Sequence, residues 1–421
     1  MPKQKLPVRP NLDQLKNQAK DLLRAIHSGD PVALADLREH HHKQIDPANV
    51  KLADAQLVLA HSYESPSWPR LVQACKLVDA IWRDDIEALR EIVTKHPKLV
   101  HESALSRKSN WGLPMSYAAN LGRDEIIKML YDLGGRDLEF ALDRAALQGK
   151  ISTAKLLHEL MGSPVPSADA LGGTAYTLSS AGTALLFEMG VQLQVENGKR
   201  VAPVAVVLET DSRKPSEKHA ILEMYVKHGV ELPDTPPMAV HRGRIDLLED
   251  HLRRDPNLLT RTFTHQEIFP PELGCGDEVQ ATHGTPLAGA TLLHMCVDYD
   301  EMEIARWLFA KGMNVDAKAA IDADGFGGHT ALFATVVSQP NFWMNYQDLP
   351  KVAPFTELLL QLGANPNARA SLRKQLHPGY GLEVMHEYRD VTPLSWGQQF
   401  HRKVFVSEPA MQLIIASGGH A

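Results

Sequence analysis

The chain has little of what marks the easily assigned classes of protein. Only three cysteines occur in 421 residues, Cys75, Cys275 and Cys296, far apart and odd in number. That pattern excludes a disulfide framework and a paired-thiolate metal knuckle, and it points to a reducing compartment, the cytoplasm. Long hydrophobic runs are missing too. The longest, Val201 to Leu208, is far too short to span a bilayer, and Lys3, Lys5 and Arg9 near the start are followed by no apolar segment of the kind a signal peptide needs. Neither an export signal nor a membrane anchor is expected. Positive charge is not in excess: 44 Lys and Arg face 51 Asp and Glu, a formal charge of -7, with no basic run able to neutralise a string of phosphates. Nucleic acid is therefore not expected as a partner.

What is present suffices for a continuous core: 44% of the residues are hydrophobic and 23% charged, which excludes wholesale disorder. At this length the chain is multidomain, one large domain or a repeat array, so self-similarity is the first thing to look for. It is there. Leu113 to Gly135 reads LPMSYAANLGRDEIIKMLYDLGG, and Thr291 to Ala317 reads TLLHMCVDYDEMEIARWLFAKGMNVDA. Each is a short first helix, a turn, a second apolar helix and a Gly cap, and both resemble the ankyrin repeat. Weaker copies occupy Phe140 to Gly162, Ala175 to Leu193, Val204 to Leu232, Thr330 to Ala368 and Thr392 to Gly419, and two more begin at Asp84 and Gly243. The resemblance implies an all-α ankyrin-repeat solenoid of about nine helix-turn-helix units.

Such units stack because neither of their flanking faces can be buried alone. In the second helix of the Leu113 copy, Ile126, Ile127, Met129, Leu130 and Leu133 leave only Lys128, Tyr131 and Asp132 for solvent or neighbours. Gly134, Gly229, Gly312, Gly363 and Gly418 stand where a left-handed cap is expected after a second helix, so they carry geometry and no phosphate. Ahead of the array, Leu12 to Ile26, Pro31 to His40 and Leu52 to Tyr63 read as amphipathic helices, with Asp30 as N-cap and Pro31 in the first turn. This segment resembles the helical leader that precedes ankyrin repeats in bacterial proteins. The expected organisation is an N-terminal helical cap over 1–71, regular repeats over 72–262, and repeats with long finger insertions over 263–421, the last repeat serving as the C-terminal cap.

Departures from the period are the informative places. The Gly caps are evenly spaced from Gly134 through Gly162 to Gly190, and far apart from Gly312 through Gly363 to Gly418. The extra residues fall in fingers, Phe263 to Ala290, Ala319 to His329 and Ser371 to Asp390, and in Gln339 to Ala353 inside a helix pair. Long insertions that are not low-complexity commonly bind something. Fingers of an ankyrin stack project along one edge of a concave groove, and first-helix positions before each turn face that groove. Those positions are Asn120, Gln148, His241, Asp298, Tyr299, Gln399 and Phe400; the fingers add His265, Glu267, Asp322, Asp324, His377, Tyr380, Tyr388 and Arg389. Trp111, at a finger tip, is either a binding anchor or a brace against the next repeat.

Two functions compete. The family resemblance implies a recognition scaffold holding a protein partner or a small polar ligand in the groove. The alternative is a small-molecule hydrolase, lyase or isomerase whose fingers close over the groove, with His283, Asp298, His329 and His386 as the acid-base candidates. No HxH or HExxH spacing supports a metal, and no cofactor is expected; a metal, if present, would be sought among His265, His283, His329, His377 and His386. His294 holds the His of the TPLH motif and is expected to order its turn, and Cys296 is expected to be a packed core thiol.

Overall fold

A computed structural model describes residues 6–105, 111–193, 203–278, 284–338, 351–376 and 384–421. The chain divides into two compact units, Met1–Pro166 and Ser167–Ala421.

The first unit opens with α1 (Leu12–His27), α2 (Pro31–His40) and α3 (Leu52–Ser62). Asn11 accepts the free N–H groups of Asp13 and Gln14 at the start of α1, and Asp30 does the same for Val32 and Ala33 at the start of α2. Their apolar faces close small cores. Leu15, Ala60 and Tyr63 pack with Leu71 and Cys75, while Ile26, Leu37, Val50 and Val58 form a second cluster. Helix pairs follow: α4 (Trp68–Arg83) with α5 (Ile86–Lys95), α6 (Pro114–Leu121) with α7 (Asp124–Asp132), and α8 (Leu138–Leu147) with α9 (Ile151–Leu160). In α7, Ile126, Ile127, Met129 and Leu130 are buried as the periodicity requires, each contributing about 1.5–3 kcal/mol. Leu133 is exposed, because α7 ends at Asp132 and Leu133 caps it outside the apolar stripe.

The second unit continues with α10 (Ala170–Thr177) and α11 (Ser180–Glu188), α12 (Val204–Glu209) and α13 (Pro215–Lys227), then α14 (Pro236–His241) and α15 (Ile245–Arg254). A short α16 (His265–Ile268) lies in the first long finger. After it come α17 (Leu292–Tyr299) with α18 (Met302–Ala310), α19 (Ala331–Val336) with α20 (Pro354–Gln361), the strands β1 (Ala370–Lys374) and β2 (His386–Val391), and α21 (Pro393–Gln399) with α22 (Glu408–Ala416). First helices of successive pairs lie side by side, α14 on α17, α17 on α19 and α19 on α21. Nine such pairs occur among the described residues, and the all-α ankyrin-type repeat is the fold. Gly134, Gly229, Gly312, Gly363 and Gly418 all take positive φ after their second helices.

The TPLH histidine works as expected. The Thr291 hydroxyl meets His294 Nδ1 at 2.9 Å, and Nε2 reaches the His329 carbonyl at 3.0 Å, tying the turn of one repeat to the next finger. Cys296 is fully buried in the core.

Each long finger is closed at its stem by backbone pairing: Phe263 with Ala290, Lys318 with Thr330, and Ala370 with Val391. The last is a departure from pure helix, an antiparallel β1–β2 hairpin with a register shift between Ala370 and Leu372. Alternation drives it. Ala370, Leu372 and Lys374 point inward while Ser371 and Arg373 face out.

Candidate functional site

The positions expected to face the groove at the ends of α14 and α17, His241, Asp298 and Tyr299, are instead buried between the helix pairs, where they lie together with residues that sequence reasoning did not single out. Short first helices end in sharp turns, so His241, Asp298 and Tyr299 are fixed by the packing of α14 on α17. From the preceding pair, the loop before α13 brings in Arg213 and the first turn of α13 brings in Lys218. Arg213 Nη2 donates to Asp298 Oδ2 at 2.9 Å and Nε to the Asp298 carbonyl at 2.5 Å, an ion pair almost wholly out of water. The other carboxylate oxygen, Asp298 Oδ1, is buried without a hydrogen-bond partner among the described residues.

Tyr299 forms the middle of the cluster. Its hydroxyl donates to the Leu208 carbonyl at 2.9 Å, the edge of His241 meets its ring at 4.8 Å between centroids, and two basic side chains lie over its ring. Arg213 Cζ is 4.7 Å from the ring centroid and Lys218 Nζ only 3.5 Å. Lys218 Nζ also stands 2.7 Å from His241 Nδ1, while His241 Nε2 donates to the Ile268 carbonyl at 2.9 Å. That second bond fixes the tautomer: Nδ1 carries the lone pair and accepts from the amine. Lys218 makes no ion pair among the described residues and is buried. Burial holds its pKa down to about 7 against the opposing pull of the Glu301 and Asp298 carboxylates, with Arg213 adding to the depression, and burial together with Lys218 keeps His241 neutral, well below its ordinary range.

Further ionisable groups surround this centre. His219 Nε2 meets the buried Glu301 at 2.7 Å. Glu209 accepts from the Gly276 N–H at 2.6 Å, and burial raises its pKa. Lys374, inward on β1, is fully enclosed with Glu278 at 3.9 Å, and burial lowers its pKa.

The remaining finger residues do other work. Asp322 and Asp324 receive Arg373 of β1 at 2.7 and 2.8 Å, the Gly327 N–H donates to the Ser371 carbonyl at 2.7 Å, and Arg389 lies over the Phe326 ring at 4.3 Å. These contacts latch the Ala319–His329 finger to the hairpin. Gly327 is required there: its φ is +115°, and a Cβ would sit 2.0 Å from the Ala320 carbonyl oxygen. Glu267 caps α16 through Thr264 and pairs with Arg261 at 2.7 Å, while His265 Nε2 donates to the Gly276 carbonyl at 2.9 Å. Glu267 lines a surface cleft of about 210 Å³ with Asp234, His251 and Arg254, in which the charges pair with one another.

His329 Nε2 donates to the Pro286 carbonyl at 3.1 Å, and burial lowers its pKa to about 3. It is held within the turn network of His294. His386 stacks on His401 at 3.9 Å, and His401 Nδ1 takes the Tyr388 hydroxyl at 2.5 Å. His329 and His386 thus have separate partner sets, and the acid-base enzyme built on them draws no support from their placement. His283, His377 and Tyr380 lie outside the described residues, as do Gln339 to Pro350 of the helix-pair insertion. Gln399 is exposed at the end of α21. In the first unit, Trp111 stacks on Trp82 at 5.9 Å and meets the Tyr117 ring at a tilt at 5.1 Å; Asn120 accepts from Arg144 at 2.6 Å, and Gln148 caps α8. Among the described residues no three His, Cys, Asp or Glu side chains are grouped to hold a metal, and no helix is long and apolar enough to cross a membrane.

No protein-family model matches the chain, and no curated protein matches it. Among solved structures, the human ASB11 ankyrin repeat domain is similar at 17% identity, covering 73% of this chain and 99% of that one, with a TM-score of 0.25. At that score the superposition adds nothing to the fold assignment, which rests on the helix pairs, the left-handed glycine caps and the fingers themselves.

Proposed function

We propose that the chain is a recognition scaffold that holds a protein partner against the finger edge of its second unit, in a reducing compartment such as the cytoplasm. The observation that carries this reading is the pair of latched fingers. Fixed by the Arg373 ion pairs and the Gly327–Ser371 bridge, they display large apolar side chains to water: Ile321 is 66% exposed, Val384 65% and Met385 47%. Exposed apolar side chains on polar-rimmed projections suit a protein interface. The three cysteines are free, as a reducing compartment allows.

Site-specific photocrosslinking tests it. A benzophenone amino acid at Ile321 or Met385 should give one discrete adduct in cells, and the same probe at Ile415, an exposed apolar residue on α22, should give none. Equal crosslinking at all three, or none at the fingers, removes the proposal.

A further inference from the structure

The centre around Lys218 is not needed by a finger-edge scaffold, and its chemistry is independent of that reading. A buried lysine without a carboxylate in contact is expensive and is rarely kept for packing alone. Here the surroundings favour a neutral amine in a defined orientation. An uncharged amine has two N–H groups and one lone pair. His241 Nδ1 at 2.7 Å takes one N–H, its tautomer fixed by the Ile268 carbonyl, and the Tyr299 ring face at 3.5 Å takes the other. The lone pair then has no partner among the described residues. Arg213 adds a permanent positive charge over the same ring, which disfavours a second charge on Nζ; the Glu301 and Asp298 carboxylates act the other way, and burial outweighs them. On the residue before Tyr299, Asp298 Oδ1 is a buried acceptor that nothing among the described residues satisfies.

We infer that Lys218 is the reactive amine of a buried site for a small aldehyde or ketone, which it holds as an imine, with His241 as the proton relay. In the step, Nζ adds to the carbonyl carbon while its proton passes to His241 Nδ1 and on to the former carbonyl oxygen, giving a carbinolamine. Loss of that oxygen as water leaves the C=N bond, so amine plus carbonyl becomes imine plus water with no oxidant or reductant. The open acceptor of Asp298 suits a hydroxyl-bearing carbonyl compound, because an unmatched buried acceptor rejects ligands that bring no donor.

Reductive alkylation of the full native chain provides the test. The protein is incubated at pH 7 with acetaldehyde and cyanoborohydride, which reduces an imine to a stable secondary amine, and labelled peptides are quantified by mass spectrometry. An amine titrating near 7 is about half neutral at that pH, whereas an ordinary lysine with a pKa of about 10.4 is neutral in roughly 1 molecule in 2,500. Lys218 should therefore be labelled at least about tenfold faster than the exposed Lys20 and Lys155, and prior addition of glycolaldehyde without reductant should protect it more than acetaldehyde does. A urea-unfolded control shows that the Lys218 peptide is detected. If Lys218 is unmodified while surface lysines react, it is a sealed core residue and the inference fails. Labelling at the surface rate overturns it equally, since the amine would then have no activation.

Discussion

Replacing Lys218 by Met should stabilise the protein at neutral pH, and the size of the gain follows from the geometry. Desolvation moves the amine from 10.5 down to about 7. The unfolded chain therefore holds a proton between those values that the folded chain does not. Stability rises with pH across this window; the penalty is complete below pH 7 and gone above 10.5. At 1.36 kcal/mol per pH unit the full penalty is about 5 kcal/mol. Lys218→Met removes it and fills a similar volume, yet leaves His241 Nδ1 buried without its donor, at a cost of about 1–3 kcal/mol. The net gain at pH 7 is then about 2–4 kcal/mol. Near pH 9 only about 2 kcal/mol of the penalty remains, so the gain shrinks to nearly nothing. Urea midpoints of the two proteins at pH 6, 7, 8 and 9 measure this. A variant less stable than the parent at pH 7, or a difference that does not change with pH, refutes the reasoning.

Arg213→Met leaves the Asp298 carboxylate buried and alone, and should lower stability by about 3–5 kcal/mol in urea denaturation; adding Asp298→Asn should recover much of that, and no recovery would show that the pair is not coupled. Gly327→Ala forces a side chain into the Ala320 carbonyl at positive φ, so amide exchange across 319–329 should accelerate well beyond that in Gly325→Ala, where the added carbon meets nothing within 4 Å. Arg373→Gln opens the finger latch, but its partners are half-exposed, so the loss should stay under about 1 kcal/mol and shrink further in high salt. A loss of several kcal/mol would mean that the latch carries the second unit's stability.

Much of the fold could be read because repeats write their geometry several times over. A Gly after most second helices and an apolar stripe within them recur from Gly134 to Gly418, and the finger stems fall where the period breaks. The hairpin was hidden in a finger, since Ser371 to Asp390 mixes charge with short alternation. The place of His241, Asp298 and Tyr299 before the turn was legible, but their burial was not, since the packing of the neighbouring repeats encloses them. Lys218 was not, because a lysine in a second helix reads as solvated surface. A signal was available: Lys218 shares the spacing of Ile221, Leu222 and Tyr225, all buried, and so lies on the inward stripe of α13. Lys374 carries the same signature on a strand, in step with the buried Ala370 and Leu372. Arg213 had none, since a loop residue gains its meaning only when the next repeat brings Asp298 to it. His329 and His386 were singled out by residue type alone: one ring nitrogen of His329 is taken by the Pro286 carbonyl and His386 stacks on His401, while His329 Nδ1 and His386 Nε2 stay buried without a hydrogen-bond partner among the described residues.

The titration of Lys218 itself bears most directly on the buried centre. In NMR spectra of the lysine side chains, one amine resonance absent from Lys218→Met should titrate near pH 7, with His241 staying neutral throughout. A Lys218 resonance that remains protonated up to about pH 10, like an ordinary surface lysine, would contradict both the stability argument and the imine site.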